Sequence, residues 1–350
     1  MATLDDVALL SQVSAMTVSR VINNKDGVSA KTREKVMSAI RELNYRPNLV
    51  ARCLATNHTN SVGVLVSRLE NPVYSVIVSG INKAATECGM DIILGSGQDT
   101  ESLIKSANTL MSKQIDGLIV LPIETRTNNS DLDIASMVRF YKDFESISEE
   151  ASQSGLPVIL MEDYRITGVS GWVREDYKGG AKLAVNYLCQ NGHKKIGVIC
   201  HKFNDRGIWN ERYQGFLEAI EENGCPINAN YNDSSYDSVE DGFKAGMRLF
   251  SKSDLPTAIY CANDEIAVGL LNAAITCKLK VPEDISIIGH DGSLYSEISC
   301  PRLTTVSIQP YEIGRTCMEQ VYHQICGKKV SDVRVVEPKL IEGESVKKLI

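Results

Sequence analysis

From Ser61 onward the chain repeats one unit, a short unbroken apolar run followed by a longer amphipathic stretch. The runs are SVGVLV, DIILG, GLIVLP, PVILM, KIGVIC, TAIYC and ISIIG. Between most of them lie stretches of helical period, such as 73–88, 101–113, 178–191, 211–223 and 264–278. A strand wetted on one side alternates apolar with polar residues. One that is apolar throughout is covered on both faces, as in a parallel sheet with helices on each side. The predicted class is therefore α/β. Seven such strands exceed the need of one mononucleotide-binding half, so two sub-sheets are expected, with ligands beyond the carboxyl ends of the strands. At 350 residues, 43% of them hydrophobic, the chain has room for two or three compact units.

Two segments break that repeat. Residues 124–154 carry seven acids against three bases and separate two strands by more chain than usual. Ile134, Val138 and Tyr141 fall there at helical spacing, which predicts a helix on the surface of the body. The other segment is 1–60, which has no strand pattern. Leu4, Val7 and Ala8 make one apolar face, Val18, Val21 and Ile22 a second, and Val36, Ile40 and Leu43 a third. Ser14 is placed to cap the second helix, and the third starts after Ser29. Pro47 ends the unit, because the residue before a proline is pushed out of the helical region. Asn48 can then cap a stretch from Leu49 to about Ala55. That piece is too short to hold a helix alone in water, so it is expected to order only when something packs on it.

Residues 1–60 hold eight basic and five acidic residues in a chain of net charge −7, a weakly basic head on an acidic body. The turn near Ser11–Val13, followed by VSAMTVSRVINN, has the form of a helix-turn-helix. Two short helices pack through small residues there and leave one face of the second for the major groove of DNA. That face carries Ala15, Met16, Ser19, Arg20 and Asn23. Arg20 suits a bidentate contact to guanine, and Ala15 and Met16 suit thymine methyls. A three-helix unit without a DNA role has the same spacing.

Other classes are disfavoured. The opening MATLDDVALL places acids where a secretory leader carries Lys or Arg, and no apolar run reaches the ~18 residues of a membrane span. The chain is expected in the cytoplasm, with no membrane partner. Ten cysteines scattered from Cys53 to Cys326 include no CxxC pair, and the five histidines are dispersed. Reduced thiols and no metal are expected. The nearest dinucleotide signal, Gly95-Ser-Gly97, has Thr100 in place of a third glycine, and GxxxxGK[ST], GxSxG and HExxH are absent. No cofactor and no enzymatic activity are expected.

MATLDDVALLSQVSAMTVSRVINNKDGVSAKTREKVMSAIRELNYRPNLVARCLA resembles the headpiece of the lactose/galactose/purine repressor (LacI-type) family, through TVSRVIN, VSAKTREKV, ELNYRPN and the hinge VARCLA. The likeness continues in RYQGF, ANDEIAVG, VPEDISIIGHDG and RLTTVSIQP, and covers nearly the whole chain apart from 124–154. It implies an all-α helix-turn-helix headpiece over 1–46, a hinge helix and linker over 47–60, and a two-lobed core over 61–350. The core would be periplasmic-binding-protein-like, with parallel sheets flanked by helices. Lobe one would take about 61–162 and 293–325, lobe two about 163–292 and 326–350, with three crossovers between them. The implied function is transcriptional regulation, in the sense of a repressor. A homodimer would hold a pseudo-palindromic stretch of double-stranded DNA, with its affinity set by a small-molecule effector.

Position by position, Leu4, Ser14, Thr17, Ser19, Asn23, Ser29, Thr32, Tyr45 and Asn48 match family phosphate-and-groove contacts. Ala15, Met16 and Arg20 match the positions that choose bases. The hinge supplies Ala51 and Leu54, the latter matching a leucine wedged into the minor groove. Gln12 departs from the family by standing where its turn often has Gly, which requires a left-handed backbone or a reshaped turn. Cys53 lies within the hinge.

In the body, Tyr74, Glu162, Arg212, Tyr260, Asn263 and Asp291 match the family's effector pocket. Arg212 would offer a fork of donors to ligand oxygens, Asn263 and Asp291 polar partners beside it, and Tyr74 and Tyr260 ring faces. Taken alone, Asn263-Asp264 is also a helix cap and Arg212 also a surface residue. Glu162 stands where Asp is common, His290 replaces the usual aromatic, and Gly292 stands where a second acid is frequent. The expected effector is a carbohydrate, a sugar or sugar phosphate. A purine or other metabolite is the alternative, because VARCLATNHTNSVG and the aromatic at Tyr74 are shared with a purine branch. A transport-type solute receptor shares the body's fold but lacks the head. No leucine heptad accompanies VKKLI, so a dimer is expected over a coiled-coil tetramer.

Overall fold

In the computed structural model the described residues are 2–22, 25–45, 58–124, 134–162, 164–200, 208–235 and 238–349. The chain forms two units, Met1–Thr59 and Asn60–Ile350.

The first unit is helical. α1 (Leu4–Ser11) opens on a capping box: the Thr3 hydroxyl accepts from the Asp6 N–H at 3.2 Å, and the Asp6 carboxylate accepts from the Thr3 N–H at 2.8 Å. It closes at Gln12, which takes the left-handed conformation at φ 54° and returns its N–H to the carbonyls of Ala8 and Leu9. α2 (Ala15–Ile22) and α3 (Ala30–Glu42) start where the Ser14 and Ser29 hydroxyls accept from the N–H groups of Thr17 and Thr32, at 3.2 Å each. Val7, Val18, Val21, Val36, Ala39 and Tyr45 fill the space between the helices. Arg33 donates to the carbonyls of Val21 and Lys25, tying α3 to the end of α2. Asn23 and the hinge stretch, with Asn48, Ala51, Cys53 and Leu54, lie outside the described residues.

The second unit contains two six-stranded sheets. The first comprises β1 (Ser61–Val66), β2 (Asp91–Ser96), β3 (Gly117–Val120), β4 (Val158–Met161), β5 (Gly171–Glu175) and β11 (Val333–Val336), in the order β11-β5-β4-β3-β1-β2 and parallel throughout. The second comprises β6 (Ile196–Cys200), β7 (Asp233–Ser234), β8 (Ala258–Cys261), β9 (Ser286–Asp291), β10 (Thr304–Ser307) and β12 (Lys339–Ile341), in the order β12-β10-β9-β8-β6-β7. Only β12 runs antiparallel to its neighbour. α4 (Pro72–Glu87), α5 (Thr100–Ser112), α6 (Ile134–Gln153) and α12 (Pro310–Ile325) belong with the first sheet. α7 (Tyr177–Gln190), α8 (Ile208–Glu222), α9 (Val239–Phe250), α10 (Asp264–Thr276) and the short α11 (Leu294–Ile298) belong with the second. β1 shows why the runs are unbroken: Val62, Val64 and Val66 enter the core beneath α4 and α12, while Leu65 enters the opposite core beneath α5 and α6. No helix among the described residues is long and apolar enough to cross a membrane.

All seven expected strands are present. β5, β7, β10, β11 and β12 escape the apolar-run criterion because GWVRE, DS, TTVS, VRVV and KLI alternate, are very short or are polar. In β10 the threonines are buried with their hydroxyls bonded, Thr305 to Asp264 and Thr304 to the Gly343 N–H. These strands move the lobe boundaries. Among the described residues the chain passes between the sheets three times, after Glu175, after Ser307 and between Val336 and Lys339, rather than at 162/163, 292/293 and 325/326.

The segment 124–154 also differs from the expected surface helix. Phe140, Tyr141, Phe144, Ile147 and Ala151 of α6 are buried in the core of the first sheet, whereas Val138 is 48% exposed. The buried stripe is set by the aromatic residues, one step around the helix from the one marked by Val138. Residues 125–133 lie outside the described residues.

Candidate functional site

In the first unit, α2 presents Met16, 70% exposed, and Arg20, also exposed, with Ser19 half-buried beside them. Ala15 and Leu4 instead pack against the small core, and the Tyr45 ring is buried within it. Ser14 and Thr17 share a hydroxyl contact of 2.9 Å at the start of α2, and Ser29 and Thr32 one of 2.9 Å at the start of α3. Each helix start thus combines hydroxyls, first-turn backbone N–H groups and the positive end of a helix dipole, which suits an anion such as a backbone phosphate. An apolar-plus-guanidinium face between two such ends can contact base edges.

In the second unit a cleft opens at the carboxyl ends of both sheets. Arg68 follows β1, Glu124 follows β3, Glu175 ends β5, Asn263 follows β8 and Asp291 ends β9. Tyr74, Tyr177 and Tyr295 add ring faces from the starts of α4, α7 and α11.

Arg212, in the second turn of α8, is buried and organises the floor. Its Nη2 meets Glu175 Oε1 at 2.7 Å and Asp291 Oδ1 at 2.8 Å, its Nε donates to Glu175 Oε1 at 3.2 Å, and its Nη1 donates to the carbonyl of Ala262. Burial opposes its charge, but Glu175 and Asp291 outweigh that and raise its pKa. Burial pushes the Glu175 carboxyl up to about 7 against the pull of Arg212. Asp291 is held at φ 101°, a conformation costly for a residue with a Cβ. The following turn is pinned by Asp264, whose Oδ2 accepts from the Ser293 N–H at 2.7 Å and hydroxyl at 3.0 Å. On the wall formed by the first sheet, Glu124 accepts from the Tyr74 hydroxyl at 2.5 Å and pairs with Arg68 at 2.7 Å. Burial, then Glu124, raises the Tyr74 pKa.

Of the expected pocket residues, Tyr74, Arg212, Asn263 and Asp291 line the cleft. Asn263 also caps α10, its Oδ1 accepting from the Ile266 N–H at 2.7 Å. Tyr260 does not line it. Its ring is fully buried beside Phe216, and its hydroxyl bonds His290 Nδ1 at 2.8 Å behind the floor. His290 is buried too, and burial, then Arg212, lowers its pKa well below the usual value, so it is neutral. Glu162 is outside the lining and accepts from the Tyr141 hydroxyl at 2.6 Å, with burial pushing its carboxyl up to about 7. Arg68, Glu124, Glu175, Tyr177, Glu265 and Tyr295 were not anticipated. Arg68 and Glu124 had a usable signal, a charged residue just beyond the carboxyl end of an evident strand. Glu175 has none, because β5 alternates and carries no apolar run.

Residues 3–48 match the family model described as bacterial regulatory proteins, lacI family, and residues 185–346 match a periplasmic binding protein-like domain. The chain is 34% identical to a Haemophilus influenzae protein named HTH-type transcriptional repressor PurR, over 100% of both chains. It is 33% identical to the protein of that name from Pasteurella multocida, over 99% of both. Among solved structures, it is similar to a lac repressor dimer bound to operator and the anti-inducer ONPF, with a TM-score of 0.79 and 27% identity over 99% of both chains. It is also similar to a complex of the transcriptional regulator CelR with cellobiose, with a TM-score of 0.67 and 28% identity over 99% of this chain and 100% of the other. With a helix-turn-helix head and a two-sheet body whose polar cleft lies at the strand ends, the chain belongs to the LacI family of DNA-binding transcriptional repressors, which are not enzymes.

Proposed function

We propose that the second unit of this repressor senses a neutral, polyhydroxylated sugar in the cleft. Binding of that sugar sets how tightly a homodimer holds a two-fold symmetric operator in the cytoplasm. The charge inventory of the cleft carries this reading: four carboxylates, of Glu124, Glu175, Glu265 and Asp291, face two guanidinium groups, of Arg68 and Arg212, that are already ion-paired. A phosphate brought there would meet excess negative charge and would have to displace carboxylates from both arginines. Hydroxyls can donate to those carboxylates, and the rings of Tyr74, Tyr177 and Tyr295 can cover a sugar's carbon face. The structural relative CelR, which binds cellobiose, supports a sugar. The PurR relatives and the aromatic residue at Tyr74 favour a purine as the second reading.

On the DNA side, Arg20 and Met16 are the base readers of the head. Ser14, Thr17, Ser29 and Thr32 anchor phosphates, Ser19 and Asn23 contact the groove, and Ala51 and Leu54 act from the hinge. Leu4, Ala15 and Tyr45 shape the head from its core. Glu162 and Tyr260 act from behind the cleft rather than on the ligand. The sugar changes DNA affinity only through a difference in its affinity for the DNA-competent and incompetent forms.

The test is a thermal-shift screen of the full-length protein against neutral sugars, sugar phosphates and purine bases, followed by gel shift with each hit. A neutral sugar should raise Tm by mass action and change the affinity for a palindromic site. Stabilisation by purines alone, or by sugar phosphates alone, would sink the reading.

A further inference from the structure

Glu175 is 1% exposed and ends β5 at the floor of the cleft. Its two oxygens are used unequally. Oε1 takes both Arg212 nitrogens, at 2.7 and 3.2 Å, and lies 3.8 Å from His290 Nε2. Oε2 is buried and has no hydrogen-bond partner. A planar guanidinium can serve both oxygens of a carboxylate side by side, but here its two donors converge on one. Asp264, a buried carboxylate outside the cleft lining, is fully used: Oδ1 accepts from Thr305 at 2.6 Å and Oδ2 from Ser293. Among the described residues no other buried carboxylate oxygen is left without a donor. Leaving such an acceptor unmet is costly, and a donor brought by a ligand recovers that cost.

We propose that Glu175 Oε2 accepts a hydrogen bond from one hydroxyl of the bound effector and thereby selects for a sugar that bears that hydroxyl. The proposal rests on the neutral-sugar reading of the cleft and sharpens it. While Glu175 is ionised its charge repels an anionic group from this oxygen, and an ether or a deoxygenated carbon cannot donate to it. Arg212 orients Glu175 through Oε1, so holding the arginine and accepting from the ligand fall to different atoms of one carboxylate.

The experiment is a cycle between protein and ligand, read by isothermal titration of the full-length repressor. D-glucose, D-galactose and cellobiose are tested with their monodeoxy analogues against the wild type, Glu175→Gln and Glu175→Asp. Glu175→Asp retains the charge facing Arg212 and draws the carboxylate back by one methylene, which provides a second variant should the amide misfold. For a sugar that binds, one monodeoxy analogue should lose on the order of ten- to a hundredfold in affinity on the wild type. Each variant should lose a similar factor with the parent sugar, and almost nothing further with that one analogue. Independent, multiplying losses for every analogue would show that Glu175 only holds Arg212 and would overturn the proposal. If none of the three sugars binds the wild type while a purine base does, the underlying reading fails and the proposal goes with it. The wild-type titration separates that failure from the other.

Discussion

At Gln12 a residue with a full side chain occupies the left-handed conformation that closes α1. Gln12→Gly should relieve that strain and stabilise the head by about 0.5–1 kcal/mol. Slower amide exchange in α1 and α2 of the full-length protein would show the gain, and unchanged protection would count against it. Arg20 is exposed on α2 beside Met16. Arg20→Ala should cost about 1–3 kcal/mol per half-site on the preferred operator and relax base choice there. Equal losses on operator and random DNA, measured by gel shift at fixed salt, would make it a phosphate contact only. Residues fixed by local bonding are legible in the sequence: the caps at Ser14 and Ser29 and the strain at Gln12 depend on neighbours within four positions. The orientations of Tyr260 and Glu162 are not, because a residue near a strand's end turns toward the ligand or behind it according to which helix covers that face.

α6 lies between β3 and β4 and gives Phe140 and Phe144 to the core of the first sheet. Phe144→Ala should cost about 3–5 kcal/mol, while Val138→Ala, on the exposed face of the same helix, should stay within about 0.5 kcal/mol. Urea unfolding of the two variants measures both. Equal small effects would mean that the helix merely decorates the sheet. Where α10 begins, Asp264 is held by burial, then by the nearby Asp291, at a pKa of about 7 against an ordinary 3.8. The folded form therefore binds more protons than the unfolded one between about pH 4 and 7, and this group's contribution to stability is lost as pH rises through that window. Asp264→Asn should flatten the decline in Tm over that range, and a wild-type slope in the variant would rule the assignment out. At this scale the sequence showed strands covered on both faces and missed those that were not. Alternating GWVRE and hydroxyl-rich TTVS satisfy their burial by pairing and hydrogen bonding rather than by apolar side chains.

Across the whole second unit, two ion pairs join the end of β5 to the start of α8, and so one sheet to the other. Arg174 meets Glu211 at 2.5 Å near the surface, and Glu175 meets Arg212 at 2.7 Å on the cleft floor. Arg212→Met should cost about 3–5 kcal/mol in urea unfolding, because Glu175 is left buried, and Asp291 half-buried, without a counter-charge. Arg174→Met should cost no more than about 1 kcal/mol, since Glu211 is 39% exposed. Comparable values for the two would mean that the floor relaxes to admit water. Two sheets and a separate head were legible at this scale, from the change in rhythm at Ser61. The positions of the crossings were not, because they depend on which sheet β5, β10 and β11 join, a long-range choice that no local pattern records.

The late positions of α12, β11 and β12 bear on how the protein is made. Ile313, Cys317, Met318 and Val321 of α12 cover a face of the sheet that begins at Ser61. A ribosome delivering about 5–20 residues per second needs roughly ten to fifty seconds between those points, during which the nascent sheet shows bare hydrocarbon. A polypeptide released after Ser307 would keep that face exposed for good, and it should be recovered bound to chaperones or in inclusion bodies rather than as a folded half.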